Sequence, residues 1–298
     1  MTSFAILLSG QLLFAALVAG SLYALVGVGL NLVYGTMRLL NVAHGDVVMV
    51  GAYVAYWLLS AFGWSPLWTA VLVAAICAFA GLVLYELIFR ALLSRRSKIA
   101  RLEANSLLLF FGISIIVQNT IALSVTATPR GYQYLDEIYH LGNVAMSGNR
   151  LATLLIASAI CVAIGLFLRF NVFGLALRAV IERTDAARIV GVNIDFVNRV
   201  SFAIGFATAG VAGVLVSMME QFSPFIGFPF TISAFIVVIL GGLGNIYGGF
   251  IAAFLLAALE TYGVALTSAN LRSVLLYGVF VATLIFFPQG LVARRAGQ

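Results

Sequence analysis

Runs of about twenty apolar residues recur along this 298-residue chain, and no other feature limits its fold as sharply. A helix rising about 1.5 Å per residue needs roughly 20 residues to cross the hydrocarbon core of a bilayer. Ser3–Tyr34, Leu67–Phe89, Ser106–Val125, Leu151–Leu168, Val200–Met219 and Ser273–Phe287 meet or approach that length. Two more stretches are apolar but interrupted: Val47–Phe62, preceded by Gly35–Gly45, and Phe230–Val264, broken at Gly241–Gly249. Together they predict an all-α polytopic membrane bundle of about eight to nine spans, with broken or re-entrant segments near 35–45 and 241–249.

Composition points the same way. Hydrophobic residues make up 63% of the chain and charged ones 9%, and the mean hydropathy is +1.13. Soluble domains average roughly 45–50% apolar and about 25% charged residues. Water would leave this chain no way to hide its apolar area, whereas lipid removes the problem. The net charge of +6 and pI near 9.6 do not indicate nucleic acid, because the charges sit in short loops between the runs. In that position they are topology signals.

Arg90, Arg95, Arg96, Lys98 and Arg101 crowd one loop, and Arg169, Arg178, Arg183, Arg188 and Arg199 occupy or border a second. With Arg294 and Arg295 at the end of the chain, these regions are expected on the cytoplasmic side. Thr126–Arg150, where Asp136 and Glu137 offset Arg130 and Arg150, is expected outside. The N-terminus then lies outside and the C-terminus inside. No Lys or Arg precedes Arg38, so the basic flank of a signal peptide is missing and the first run is expected to remain. No Pro, Ser or Gly linker divides the sequence, which reads as one membrane unit over residues 1–298.

Three motifs interrupt the apolar pattern. Tyr34–Asp46 sets Gly35, Arg38, Asn41, His44, Gly45 and Asp46 between two apolar helices. Asn41 is placed to cap a helix starting near His44, and Asp46 falls in its first turn, where the helix dipole favours a carboxylate. The segment reads either as a polar turn at the membrane surface or as a broken helix lining a translocation path. The second motif, Gly241–Gly249, has glycine at five of nine positions. It lacks the Lys and following Ser or Thr of a phosphate loop, so nucleotide binding is not supported. Asn245-x-x-Gly248-Gly249 echoes Asn41-x-x-His44-Gly45, and paired interruptions in two halves point to a transport pathway. Asn41, His44, Gly45, Gly244 and Asn245 are therefore candidate path residues.

The third motif is Ile181–Asn193, within a charged segment of about residues 170–199. Thr184 or Asp185 is expected to cap a short helix there and Gly191 to end it. Ala186, Ile189 and Val190 recur at i, i+3 and i+4, so one face wants a partner. Glu86, Glu220 and Glu260 sit toward the ends of runs, where snorkelling is easiest. Cys77 and Cys161 lie in apolar runs without ligand spacing and read as buried small hydrophobes. With His44 and His140 the only histidines, no catalytic, metal or cofactor cluster is expected.

Together these motifs resemble the LivH-type permeases of branched-chain amino acid ABC importers. The resemblance rests on Gly20–Leu25, Val33-Tyr34-Gly35, Leu40–Asp46, Met49–Tyr53, Gly241–Asn245 and Phe287–Leu291. Asp185-Ala186-Ala187-x-x-x-Gly191 is similar to the loop through which such permeases meet their ATPases. Aspartate there stands one carbon short of that loop's glutamate. The resemblance implies a permease subunit that is not itself an enzyme and lies in a bacterial inner membrane. Its implied partners are a second homologous permease, two cytoplasmic ATPases, a periplasmic binding protein and the lipid bilayer. It implies docking through Glu182, Asp185, Ala186, Ala187 and Gly191, and no cofactor. Substrates in such a family include leucine, isoleucine and valine, but also other amino acids, amides and urea. The competing reading is a self-sufficient ion-coupled secondary transporter of small polar solutes using Asp46, Glu86 or Glu260; an integral-membrane enzyme is less favoured still.

Overall fold

The structure is a computed structural model that describes residues 9–94, 99–142, 144–287 and 290. The start of the first run (3–8), Arg95, Arg96 and Lys98, the Pro288, Gln289 and Leu291 of the last motif, and Arg294 and Arg295 lie outside the described residues.

Eight described helices are long and apolar enough to cross a membrane. In chain order the helices are α1 (Gly10–Met37), α2 (His44–Phe62), α3 (Pro66–Leu84), α4 (Ile99–Val125), α5 (Gly148–Phe170), α6 (Val172–Glu182), α7 (Thr184–Ile189), α8 (Ile194–Ser217), α9 (Gly227–Gly241), α10 (Ile246–Leu266) and α11 (Arg272–Phe286). Helix α3 runs on through a π-helical turn, Tyr85–Phe89, and a last α-helical turn, Arg90–Ser94. With 15 residues, α9 is too short to span alone, whereas α11, of equal length, reaches 18 residues with the 3-10 turn Ala269–Leu271 before it. The one sheet among the described residues is an antiparallel ribbon of β1 (Ile138–Leu141) and β2 (Val144–Ser147). Gln11 of α1 bonds both the N–H and the carbonyl of Ala145, tying the ribbon to the start of that helix. The molecule thus has a ribbon end and an opposite, basic end where Arg90 and Arg199 gather.

The centre is built from α1 and α8. Every residue of α1 from Gly20 to Met37 is buried, as is every residue of α8 from Thr208 to Ser217. Helices apolar all round belong in a core. Small residues let them approach: a methyl added to Gly213 of α8 would meet the Val48 carbonyl of α2 at 1.9 Å. Gly210 meets the Cys77 sulfur in the same way, and that contact buries the cysteine. Such contacts drive helix association in lipid, where burial of apolar area gives little. Outer helices turn apolar side chains outward, including Leu108 and Leu123 on α4 and Ile285 and Phe286 on α11.

Glu260 departs from its expected snorkelling. It is buried on α10, accepts a hydrogen bond from the Tyr23 hydroxyl of α1, and pairs with Arg272 of α11 at 2.5 Å. A buried carboxylate is tolerated only with such partners. Arg272→Met is expected to cost about 2–3 kcal/mol, discounted because the arginine is half exposed. Thermal unfolding in detergent should show a lowered midpoint, most of it recovered by Glu260→Gln/Arg272→Met; no recovery would mean the ion pair is not the cause.

Candidate functional site

Both glycine-rich interruptions are real breaks but shorter than expected. Helix α1 continues through Gly35 to Met37, so the first break is Arg38–Ala43; the second is Gly242–Asn245. Arg38 ends α1 in a left-handed conformation, φ 55°. The chain then climbs back along α1, because His44 Nε2 lies 3.1 Å from the carbonyl of Val26. A carbonyl only accepts, so Nε2 carries the proton. Val26 lies about three helical turns, roughly 16 Å, before Met37, a span that six extended residues can cover. Helix α2 therefore starts inside the bundle, and the first interruption is re-entrant.

Asn41 does not cap α2. Its side chain is fully buried and neither polar atom has a partner among the described residues; its carbonyl accepts from the N–H of His44 at 3.4 Å. Asp46 does occupy the first turn of α2, and its Oδ1 accepts from Gln118 of α4 at 2.8 Å. Asp46 Oδ2 and His44 Nδ1 are also buried without a partner among the described residues. Several unpartnered polar atoms at one helix start are costly in a membrane interior, where each unmet group costs about several kcal/mol.

Gly45 meets the start of the second interrupted stretch, a contact that the sequence did not reveal. Its N–H donates to Thr231 Oγ1 at 2.9 Å, and that hydroxyl donates to the carbonyl of Val42 at 3.0 Å. Helix α9 begins here, and a methyl on Gly45 would lie 1.8 Å from the Gly227 carbonyl oxygen. Two helix starts thus meet inside the bundle. Residues 218–226 lead α9 in from the ribbon end, where Phe222 exchanges backbone hydrogen bonds with Arg130 and packs edge-on against Tyr53.

Gly244 and Asn245 have different neighbours. Asn31 of α1 accepts from the N–H of Gly244 at 2.8 Å and donates to the carbonyl of Asn245 at 2.9 Å. Asn245 caps α10 through the N–H of Gly248 at 3.0 Å. Gly244 takes φ +82° and lies against Gly35 and Ile181. The five candidate path residues therefore fall into two clusters along α1: Asn41, His44 and Gly45 against Val26 and α9, and Gly244 and Asn245 against Asn31 and Gly35. Asn31 went unremarked in the sequence, although a lone amide inside an apolar span is a signal in itself.

At the basic end, Asn171 caps α6, which packs inward through Leu177 and Val180 against Val28 and Leu32 of α1. Helix α7 is capped by neither Thr184 nor Asp185. Thr184 instead donates back to the Val180 carbonyl at 3.0 Å. Gly191, at φ +84°, ends the turn, with the N–H of Val192 returning to the Ala187 carbonyl at 3.0 Å. Ala187 is the buried anchor of α7, while Glu182, Asp185 and Ala186 are exposed, Ile189 is 86% exposed and Val190 76%. One side of the short helix is fixed and the other presents an apolar face at the level of a charged loop.

Residues 12–284 match the family described as the branched-chain amino acid transport system / permease component. The chain belongs to that family. The permease is 29% identical to the high-affinity branched-chain amino acid transport system permease protein LivH of Escherichia coli K12, over 95% of each chain. It is 28% identical to BraD of Pseudomonas aeruginosa, again over 95% of each, and 28% identical to LivM of E. coli K12 over 93% of this chain and 69% of that one. No solved structure matches it.

Proposed function

We propose that this protein is one permease subunit of an ATP-binding-cassette importer that translocates branched-chain or related small amino acids delivered by a periplasmic binding protein. It acts as one unit over residues 1–298 in a bacterial inner membrane, with its N-terminus periplasmic and its C-terminus cytoplasmic. Membership of the permease family carries this reading. Likeness to both LivH and LivM supports a second, homologous permease as partner. Two cytoplasmic ATPases engage Glu182, Asp185, Ala186, Ala187 and Gly191, Ala187 acting from the buried side. Asn41, His44 and Gly45 line the path, supported by the unpartnered buried polar atoms at that helix start; Gly244 and Asn245 border its basic end. The permease performs no chemistry of its own.

The substrate is tested by leucine uptake in cells lacking the gene and in cells complemented with it. Uptake should return on complementation and be blocked by excess isoleucine or valine. Inhibition by urea or a simple amide, with none by valine, would contradict the substrate class.

A further inference from the structure

Four charges form a closed ring at the basic end, between the π-helical turn of α3 and the first turns of α8. Glu86 pairs with Arg90 at 2.9 Å and with Arg199 at 2.6 Å. Asp195 pairs with Arg199 at 2.9 Å and with Arg90 at 3.6 Å. The Tyr85 hydroxyl adds a donor to Asp195 at 2.6 Å. Signs alternate around the ring, so every neighbour attracts.

The ring is poorly placed to serve stability. Its side chains are 35–54% exposed, and exposed pairs contribute about 0–1 kcal/mol. The two helices are already held by packing, with Gly210 on Cys77 and Gly81 on Phe206. What the ring does fix is the position of the first turn of α8 relative to α3. That turn follows directly on the exposed α7 segment: Gly191 and Val192 lead to Asn193, whose side chain caps α8 at the N–H of Phe196. Its counterpart on α3 is a π-helical turn, a form that often marks functional positions.

The π turn continues inward. Phe89 stacks on Phe110 of α4 with ring centroids 4.4 Å apart and lies 5.5 Å from Phe202 of α8. Phe202 stacks on Phe206 at 4.8 Å. Phe110 and Phe206 then line a cavity of about 140 Å³ whose wall also includes Ala43 and Asp46 at the start of α2. The stacked rings thus lead from the charge ring to the wall of this cavity, and the start of α2 with its unpartnered polar atoms forms another part of the same wall.

We propose that Glu86, Arg90, Asp195 and Arg199 are positioning residues that convey displacement of the α7 segment to α3 and, through the phenylalanines, to the start of α2. This rests on the ATPase-docking reading of α7. Removing the ring should uncouple ATP hydrolysis from transport while leaving the bundle folded.

Pairs within one helix can be kept while those between helices are reversed. Glu86→Arg/Arg90→Glu inverts the α3 half, and Asp195→Arg/Arg199→Asp inverts the α8 half. Either alone sets like charges across the interface; both together restore attraction at every pair. The assembled complex, reconstituted with its ATPases, is assayed for amino acid transported per ATP hydrolysed and for melting temperature. Each half-inversion should lower the transport ratio at least about tenfold, within the range of allosteric couplings, with little change in melting. The fourfold variant should recover most of the ratio. Half-inversions that transport normally, or a fourfold variant that stays uncoupled, would overturn the proposal. Failure of the ATPases to co-purify with the unaltered permease would instead defeat the docking reading beneath it.

Discussion

Gly45→Val should abolish transport and leave little protein that survives detergent extraction as a monodisperse species. The added Cβ would lie 1.8 Å from the Gly227 carbonyl oxygen and 2.5 Å from Thr231 Oγ1. Backbone stands on the far side of the contact, so no rotamer change relieves it. Overpacking a tight core costs about 1–3 kcal/mol and occasionally more, and here separation of α2 and α9 also removes the hydrogen bonds of Thr231 to Gly45 and Val42. Gly45→Ala should show the same defect, because the clash is with the Cβ itself. Gly112→Ala, where the added carbon meets nothing within 4 Å, serves as the control and should be silent. A stable, active Gly45→Val protein would mean that the two helix starts do not meet as described.

The second large effect is expected at the opposite kind of position. Ala186 is exposed, so Ala186→Arg should leave the isolated permease folded within about 0.5 kcal/mol, as surface changes usually do. Binding of the ATPases should nevertheless weaken by at least about thirtyfold, the loss of roughly 2 kcal/mol expected at an interface hot spot. Ala187→Arg separates the two roles one residue away: Ala187 is 2% exposed, so that change should damage the fold itself. Gly191→Arg belongs between them, since φ +84° strains any side chain. Analytical gel filtration and ATPase pull-down on the same preparations measure both quantities. Normal ATPase binding by Ala186→Arg would remove α7 from the interface.

The long spans were legible because length and hydropathy suffice to find them, and the short helix α7 because Ala186, Ile189 and Val190 share a helical face and Gly191 ends it. The meeting of α9 with the start of α2 was not legible. Phe222 and Ile226, just before α9, are apolar, and hydropathy does not distinguish lipid-facing residues from those packed on α2 as these are. Asn41 and Asn245 share a local spelling but not a role. Asn245 holds the extended backbone of a cap, φ −95° and ψ 97°, whereas in α2 the cap position falls to Ala43 at φ −77° and ψ 4°. Pairing across the fold was equally hidden: nothing near Glu86 in sequence announces Arg199, nor anything near Glu260 the hydroxyl of Tyr23.

The central claim is that this chain supplies a passage and other subunits supply the energy. Proteoliposomes containing the permease with its partner permease and two ATPases, supplied with loaded binding protein, measure this directly. Labelled leucine should accumulate with ATP and not without it, and should not respond to an imposed proton or sodium gradient. Gradient-driven accumulation by this chain alone, without ATPases, would contradict the account.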